Sequence, residues 1–464
     1  MLKTILKFSV SNIVNLILGL LSAVILTRTF SPDIYGLLNI YNATVATGAS
    51  ILYMGLDVSY IRFYNEPPKD DGNKELGTKL LLCCLLVTVI SAFIFSVFFY
   101  KEFSDNVFGI ESRIIVTMVF VSIGAQIILR FLNIKYRMDF NTRQFTIQSI
   151  FTQVISKIFI IVAALLSLSI NGVVSFSACS IFAFSLIYIF LQRNFFSFRN
   201  INRFRNYRRV FFFAVFSSPL SICININTSF TQQIISHLID VYAVGLYSSV
   251  GYFASILGAL QGGFATFWSA YMYRNYKNKQ NEIRQVNEYL LLAIIVIYAM
   301  LILGKDIVYL IIGDNYQESK SFFSLVLSYP IFMIASETTT YGISIMNKNQ
   351  YSLACFIVSI CINLGLAYVL IPFIGLKGAA ISTFFSGMFL YISRSIIGQK
   401  LYNSISNMRI TAVDVFIIIL MALFPAFLSE VLSNALIIFL LVIALMINKE
   451  KFVLFLNKVL LMIK

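Results

Sequence analysis

Charge is what this sequence has least of. Only 12% of its 464 residues are Asp, Glu, Lys or Arg, and 59% are hydrophobic. A soluble domain carries about twice that share of charge, because its surface must suit water. Most of this chain's surface is therefore built to face something apolar. Histidine is nearly missing, and the one present, His237, falls at the predicted outer end of a helix and reads as a polar terminus rather than a base. The single Trp beside 45 Phe and 25 Tyr fits an AT-rich coding bias, so the missing Trp belts carry no argument.

Motifs of covalent chemistry are missing as well. No GxxxxGK[ST] phosphate loop, HExxH or GxSxG occurs, and each would be needed to place a phosphate, a metal or a nucleophile in a familiar way. Every predicted loop is short, which disfavours a membrane glycosyltransferase, polymerase or ligase holding a sugar donor. No cofactor and no metal are expected. The six cysteines (Cys83, Cys84, Cys179, Cys223, Cys355, Cys361) lie inside apolar runs without metal-ligand spacing, and read as small packing residues. The Asp70-Asp71 pair belongs to a turn-rich loop over 65–77 and reads as solvent-facing rather than metal-binding.

What is present is a succession of apolar stretches about 17–25 residues long, each sufficient to cross a bilayer. They fall at 8–30, 37–63, 78–100, 113–133, 145–170, 172–193, 210–236, 244–272, 286–304, 321–346, 351–373, 376–399, 411–429 and 432–448. The fold class is thus all-α and polytopic, with about fourteen transmembrane helices. A re-entrant hairpin remains open for the last two. Lys3 and Lys7 before an apolar run imitate a signal peptide, but the run over 8–27 has the length of a full span and lacks a persuasive cleavage site.

The net charge of +15 would suggest nucleic acid in a soluble protein. Here the cations sit in short loops, which fits a cytoplasmic face and its anionic lipids, and no nucleic-acid partner is expected. With the N-terminus inside, the inner segments hold 28 Lys and Arg and the outer loops six, leaving Lys157 within a helix. Both termini are accordingly expected in the cytoplasm. The loop over 195–209 is the most basic. Residues 449–464 have the pattern of an amphipathic helix on the inner leaflet.

A faint internal repeat pairs Arg28…Gly36-Leu37 with His237…Gly245-Leu246, Gln144-Phe145 with Gln350-Tyr351, and Gly172 with Gly378. Six helices per repeat would give two lobes of like orientation, with a substrate cavity between them. The expected organisation is an N-terminal lobe over 1–193, a basic linker over 194–209 and a C-terminal lobe over 210–400. Two further helices over 411–448 and a tail over 449–464 complete it.

Polar residues inside spans are costly unless they find partners or water. The seventh span carries Ser218, Ser221, Asn225, Thr228, Gln232 and Ser236 on one face; the first carries Ser11, Asn15, Gly19, Ser22 and Thr29; the fifth carries Thr146, Ser149, Gln153 and Lys157. One such stripe reads as helix–helix packing. Three, two of them in repeat partners, read as cavity walls, with Asn225, Gln232 and Gln153 as substrate contacts. Lys157 lies too deep to snorkel, at a cost of roughly 2.5–3.5 kcal/mol on insertion scales, so it needs water or a counter-ion. Glu337 is equally central in the tenth span, and the two are read either as a structural pair or as functional charges. Asp57 could pair with Arg62. Arg28 ends the first span, either snorkelling or lining the mouth. Pro219, Pro330 and Pro425 are expected to interrupt or bend their helices.

With these residues in view, the segment LTRTFSPDIYGLLN over 26–39 resembles the signature after the first helix of Wzx-type polysaccharide-export flippases. GLDVSYIRFY (55–64), DVYAVGLYSSVGYFAS (240–255), GDNYQESKSFF (313–323) and PFIGLKGAAIST (372–383) resemble further family segments in order and spacing. The superfamily also holds multidrug-and-toxin-extrusion exporters and lipid II flippases. The resemblance implies two six-helix lobes around a central cavity and two C-terminal helices. It implies an undecaprenyl-pyrophosphate-linked oligosaccharide as cargo, carried across a bacterial cytoplasmic membrane for O-antigen (lipopolysaccharide) or capsule synthesis. The family's arginine at the end of the first helix maps onto Arg28, and Gly36, Gly245, Gly313 and Gly378 match turn or close-packing positions. An acid in the first helix, where many drug exporters bind a coupling cation, is missing here.

The leading expectation is a flippase rather than an enzyme, with Lys157 and Arg28 holding the diphosphate. The alternative is a cation-coupled multidrug exporter using Glu337 or Asp57; a membrane-embedded glycosyltransferase or polymerase comes third. An ion gradient as driving force and a polysaccharide polymerase as associate stay open.

Overall fold

The computed structural model describes residues 22, 24–68, 71–166, 168–199, 204, 207–346 and 348–449. Helices dominate, and no strand occurs among the described residues. The chain divides into two compact units, Met1–Gly245 and Leu246–Lys464.

The first unit contains α1 (Pro32–Leu52), α2 (Leu56–Phe63), α3 (Asn73–Val97), α4 (Tyr100–Phe108), α5 (Arg113–Met138), α6 (Thr142–Leu165), α7 (Ile170–Leu191), α8 (Arg208–Ser217) and α9 (Pro219–Leu238). Their starts follow local chemistry. Ser112 and Ser169 accept from the backbone N–H of Ile115 and Gly172, and Pro32 and Pro219 stand where the missing N–H costs nothing. The second unit begins within α10 (Val241–Asn275). It continues with α11 (Gln280–Leu303), α12 (Lys305–Ile311), a 3-10 stretch over Asp314–Phe322, α13 (Phe323–Ser336), α14 (Tyr341–Ile345), α15 (Asn349–Ile374), α16 (Leu376–Leu401), α17 (Met408–Phe427) and α18 (Glu430–Ile447).

Among the described residues, 11 helices are long and apolar enough to cross a membrane. They coincide with eleven of the fourteen expected spans; of the other three, one lies mostly outside the described residues and two are divided. The first expected span falls mostly outside the described residues, with Ser11, Asn15 and Gly19 of its stripe. The second is not one helix over 37–63 but two, because Met54 and Gly55 both take positive φ (50° and 71°). Gly55 is needed there twice over: a Cβ would also lie 2.2 Å from the carbonyl oxygen of Ala214. The seventh divides at Ser218, where α8 ends and Pro219 opens α9. By contrast α13 and α17 run on through Pro330 and Pro425, so those prolines do not interrupt their helices. The tenth span breaks instead at Glu337–Thr340, between α13 and α14.

Small residues let the backbones approach. Gly36 and Gly245 face each other across one crossing: their added Cβ atoms would lie 2.2 Å from Val241 O and 2.1 Å from Pro32 O. In the second unit α15 and α16 form a hairpin closed at Gly375, with Gly378 against the Leu370 backbone. Ser359–Ser386 and Asn363–Ser382 bonds at 2.8 and 3.0 Å hold it internally. α17 and α18 are separate full-length helices, both long enough to span. Cys84 and Cys355 are buried, whereas Cys179 and Cys361 are exposed rather than packed in an interior. Of the amphipathic tail expected over 449–464, all but Lys449 lies outside the described residues.

Candidate substrate-binding site

In the first unit, α5 and α6 are joined by a short turn and lie side by side. Asn133 fixes their register, its Nδ2 donating to Ser149 Oγ and Gln148 Oε1, both at 3.3 Å. Gln148 in turn donates to Leu129 O at 3.1 Å. Part of the fifth span's stripe, at Ser149, therefore makes packing bonds. Farther from the turn, Gln153 is exposed and Lys157 half-buried. Among the described residues, no charged group lies near enough to act on Lys157. An ammonium so placed within an apolar helix requires water or an anionic visitor.

α9 packs against α1, and Thr47 donates to the Asn225 carbonyl at 3.0 Å. Gln232 and Ser218 are buried, Asn225 and Ser236 half-buried and Thr228 exposed; the side chain of Ser221 lies outside the described residues. The stripe is thus divided between packing and open surface. Arg28, in the last described turn of the first span, is exposed.

Asp57 takes a different partner from the one expected. Both Nε and Nη2 of Arg130 donate to its Oδ2 at 3.2 Å, while Arg62 pairs with Glu66 one helical turn on. The break at Gly55 turns Asp57 towards α5, while the exposed Arg62 finds its nearer carboxylate four residues on, at Glu66 just past the end of α2.

The reading of Asp71 as solvent-facing is also corrected. Lys79 Nζ lies 2.8 Å from Asp71 Oδ2, with side chains only 0% and 5% exposed. The Tyr207 hydroxyl donates to the same oxygen at 2.7 Å. Burial, then this hydrogen bond, push the Tyr207 pKa well up. Asp70 lies outside the described residues. Beside this pair Ser197 donates to Glu75 at 2.6 Å, so the chain after α7 is pinned to the start of α3. Much of the basic linker itself lies outside the described residues.

In the second unit, Glu337 stands at the break after α13 and accepts from Gln261 Nε2 at 2.8 Å. Arg394 of α16 lies within electrostatic reach. Its guanidinium sits over the Phe356 ring, 5.3 Å from the centroid, and its Nε has no hydrogen-bond partner among the described residues. At one end of this unit, cations of the predicted outer loops are partnered: Lys305 with Glu430 and Lys320 with Asp306, both at 2.9 Å. Lys377 donates to Ala426 O at 3.1 Å. The Lys320 bond holds the Asp306 carboxyl below its usual range.

Sequence reasoning missed Lys79, Arg130 and Arg394 as buried or partnered charges within long helices, counting them with inner-loop cations because each lies near a span end. The available signal was their position inside the apolar runs 78–100, 113–133 and 376–399. Arg130 also shares a helical face with Gln126, Asn133 and Arg137.

Residues 1–270 match a family model described as polysaccharide biosynthesis protein. A search of curated proteins gives no match. The fold is similar to that of a solved lipid II flippase MurJ in an inward closed conformation, with TM-score 0.71 and 16% identity over 97% of this chain and 99% of that one. It is also similar to a multidrug resistance MATE family transporter of the MOP superfamily in its inward-facing conformation. There the TM-score is 0.59 and the identity 15%, over 83% of this chain and 94% of that one. At these identities the likeness establishes the fold, and it agrees with the fold implied by the motif resemblance.

Proposed function

The chain belongs to the polysaccharide biosynthesis protein family, and from that membership we propose that it flips an undecaprenyl-pyrophosphate-linked oligosaccharide between leaflets. The direction is inner to outer across a bacterial cytoplasmic membrane, for O-antigen or capsule synthesis, with both termini in the cytoplasm. The lobes over 1–193 and 210–400 and an associated polymerase belong to the same proposal.

One observation carries it: Lys157, within an apolar helix, has no charged neighbour among the described residues. A diphosphate moving through a low-dielectric interior needs a positive partner, and a cation already neutralised by a carboxylate would serve less well. Gln153, one turn away and exposed, offers both donor and acceptor to sugar hydroxyls. Arg28 supplies a second cation at the end of the first span, and Asn225 and Gln232 supply polar contacts on α9.

Lys157→Ala should abolish surface glycan while membrane insertion and protein level stay normal, and Lys157→Arg should restore part of it. Normal glycan display in Lys157→Ala would overturn the assignment.

A second reading, a cation-coupled multidrug exporter, is favoured by Glu337 at a helix break with a neutral hydrogen-bond partner. Deletion of the gene should then raise cationic-dye accumulation, and Glu337→Gln should fail to reverse it. Unchanged dye accumulation on deletion would count against this reading.

A further inference from the structure

We propose that α8 is a hinged flap over α2, rooted at Ser218–Pro219 and fastened at its free end by Tyr207 on Asp71. Its lifting opens the first unit on the side predicted to be cytoplasmic. Such a flap serves a flippase and an exporter alike, and so goes beyond the choice of cargo.

Contacts run in antiparallel order along the two divided spans. Thr47 of α1 donates to the Asn225 carbonyl of α9 at 3.0 Å. Ser59 of α2 donates to the Val210 carbonyl of α8, also at 3.0 Å, and the Phe63 and Phe213 rings meet edge-on at 5.7 Å. Between these, the Ala214 oxygen crowds Gly55 and accepts from the Ser218 N–H at 3.1 Å. The break at Met54–Gly55 therefore stands beside the one at Ser218–Pro219. Two helices zipped together can part over half their length only where both are interrupted at one level. Here α8 can leave α2 while α9 stays on α1.

The root is built as a joint. Pro219 has no N–H to offer Val215, four residues before it, and the Ser218 hydroxyl donates to that carbonyl instead at 3.2 Å. The backbone oxygen is satisfied without the helical bond that would stiffen the joint. α8 itself is held on one side. Tyr207, Val210 and Ala214 are buried at spacings of three and four, whereas Phe212 and Val215 are each 64% exposed. Against it α2 is deep, with Leu56, Ser59 and Tyr60 all at most 1% exposed.

The catch lies a helix length from the root, roughly 15 Å for ten residues. The Tyr207 hydroxyl donates to Asp71 at 2.7 Å, and Asp71 also holds Lys79 at 2.8 Å. That ion pair survives when Tyr207 leaves, so release strands no charge. It gives up one hydrogen bond and the contact of the Tyr207 ring with the Lys79 ammonium. A catch of that strength can open and close within a transport cycle.

The test uses the full-length protein in nanodiscs, with its six native cysteines replaced by alanine and Ser59→Cys as reporter. A thiol there is covered while α8 is down and reacts with N-ethylmaleimide when it lifts. Ser185→Cys, on α7 and as fully buried as Ser59, reports general loosening. Tyr207→Phe should speed labelling at position 59 about tenfold, the effect of losing one hydrogen bond to a charged group. Labelling at position 185 should not change. Pro219→Ala, which restores an N–H and joins α8 to α9, should slow labelling at position 59 several-fold. In cells, a disulfide between Ser59→Cys and Val210→Cys should abolish surface glycan, and reductant should restore it.

Labelling needs no cargo, so it decides on the flap whether or not the flippase reading holds. Equal labelling at position 59 in wild type and Tyr207→Phe would overturn the catch. A rise of the same size at positions 59 and 185 would mean loosened packing and overturn the flap. Normal glycan display with the disulfide closed would overturn its part in transport while leaving the cargo standing.

Discussion

Lys79 and Asp71 meet at 2.8 Å in a pair almost fully removed from solvent, with the Tyr207 hydroxyl as a third member. Two aromatic rings complete the enclosure, Phe204 and Tyr207 lying 5.7 and 5.2 Å from the ammonium. Removing one partner of a buried pair strands the other, at a cost of about 3–5 kcal/mol. Lys79→Met should therefore lower the thermal midpoint of the purified protein strongly. The double variant Lys79→Met/Asp71→Asn should recover much of the loss. Equal melting of wild type and Lys79→Met would contradict the buried pairing.

The glycines divide into two groups, which should respond in opposite senses. Gly36 and Gly245 meet opposing backbone oxygens at 2.2 and 2.1 Å once a Cβ is built, and backbone cannot step aside. Ala at either should push the helices apart and reduce the amount of folded protein. Gly258 and Gly263 have nothing within 4 Å of an added Cβ. Ala there should stabilise α10 by about 0.5–1 kcal/mol through helix propensity. Expression and melting of the four single variants would check this, and a tolerated Gly36→Ala would be the contrary result.

These contrasts mark what was legible in the sequence. Spans such as Asn73–Val97 and Glu430–Ile447 announce themselves because twenty apolar residues have few other uses. The break at Met54–Gly55 does not, because the close approach that also requires glycine there comes from Ala214, about 160 residues away. Arg130 and Lys79 looked like loop cations, since a charge near a helix end reads alike whether it snorkels to water or turns inward. What separates the two cases is a carboxylate, Asp57 or Asp71, brought there only by tertiary folding. Lys157 was legible because it lies too deep for snorkelling to be an option.

The last two helices offer a topology test. α17 and α18 are 20 and 18 residues long, about 30 and 27 Å, each enough for the hydrocarbon core. Their connection at Ser429 should then face outward and Ser406, before α17, inward. In a background with all six cysteines replaced by alanine, Ser429→Cys should react with an impermeant maleimide on intact cells. Ser406→Cys should react only after permeabilisation. A re-entrant hairpin would give both positions the same sidedness.

Glu337 provides the remaining prediction. Its carboxylate stands where α13 gives way to a turn and accepts a bond from neutral Gln261 at 2.8 Å, with Arg394 close enough to act on it. A carboxylate held by an amide rather than an ion pair retains the freedom to bind and release a proton or cation, which a coupling group requires. Glu337→Gln keeps the shape and a hydrogen-bonding partner for Gln261 but removes the charge. In proteoliposomes, wild-type transport should accelerate under an imposed ion gradient, while the Glu337→Gln variant should run at a gradient-independent rate. Gln261→Leu should shift the gradient response without abolishing it, because it removes a partner and leaves the titrating group. If Glu337→Gln responds to the gradient as wild type does, the charge is structural and its role is to balance Arg394.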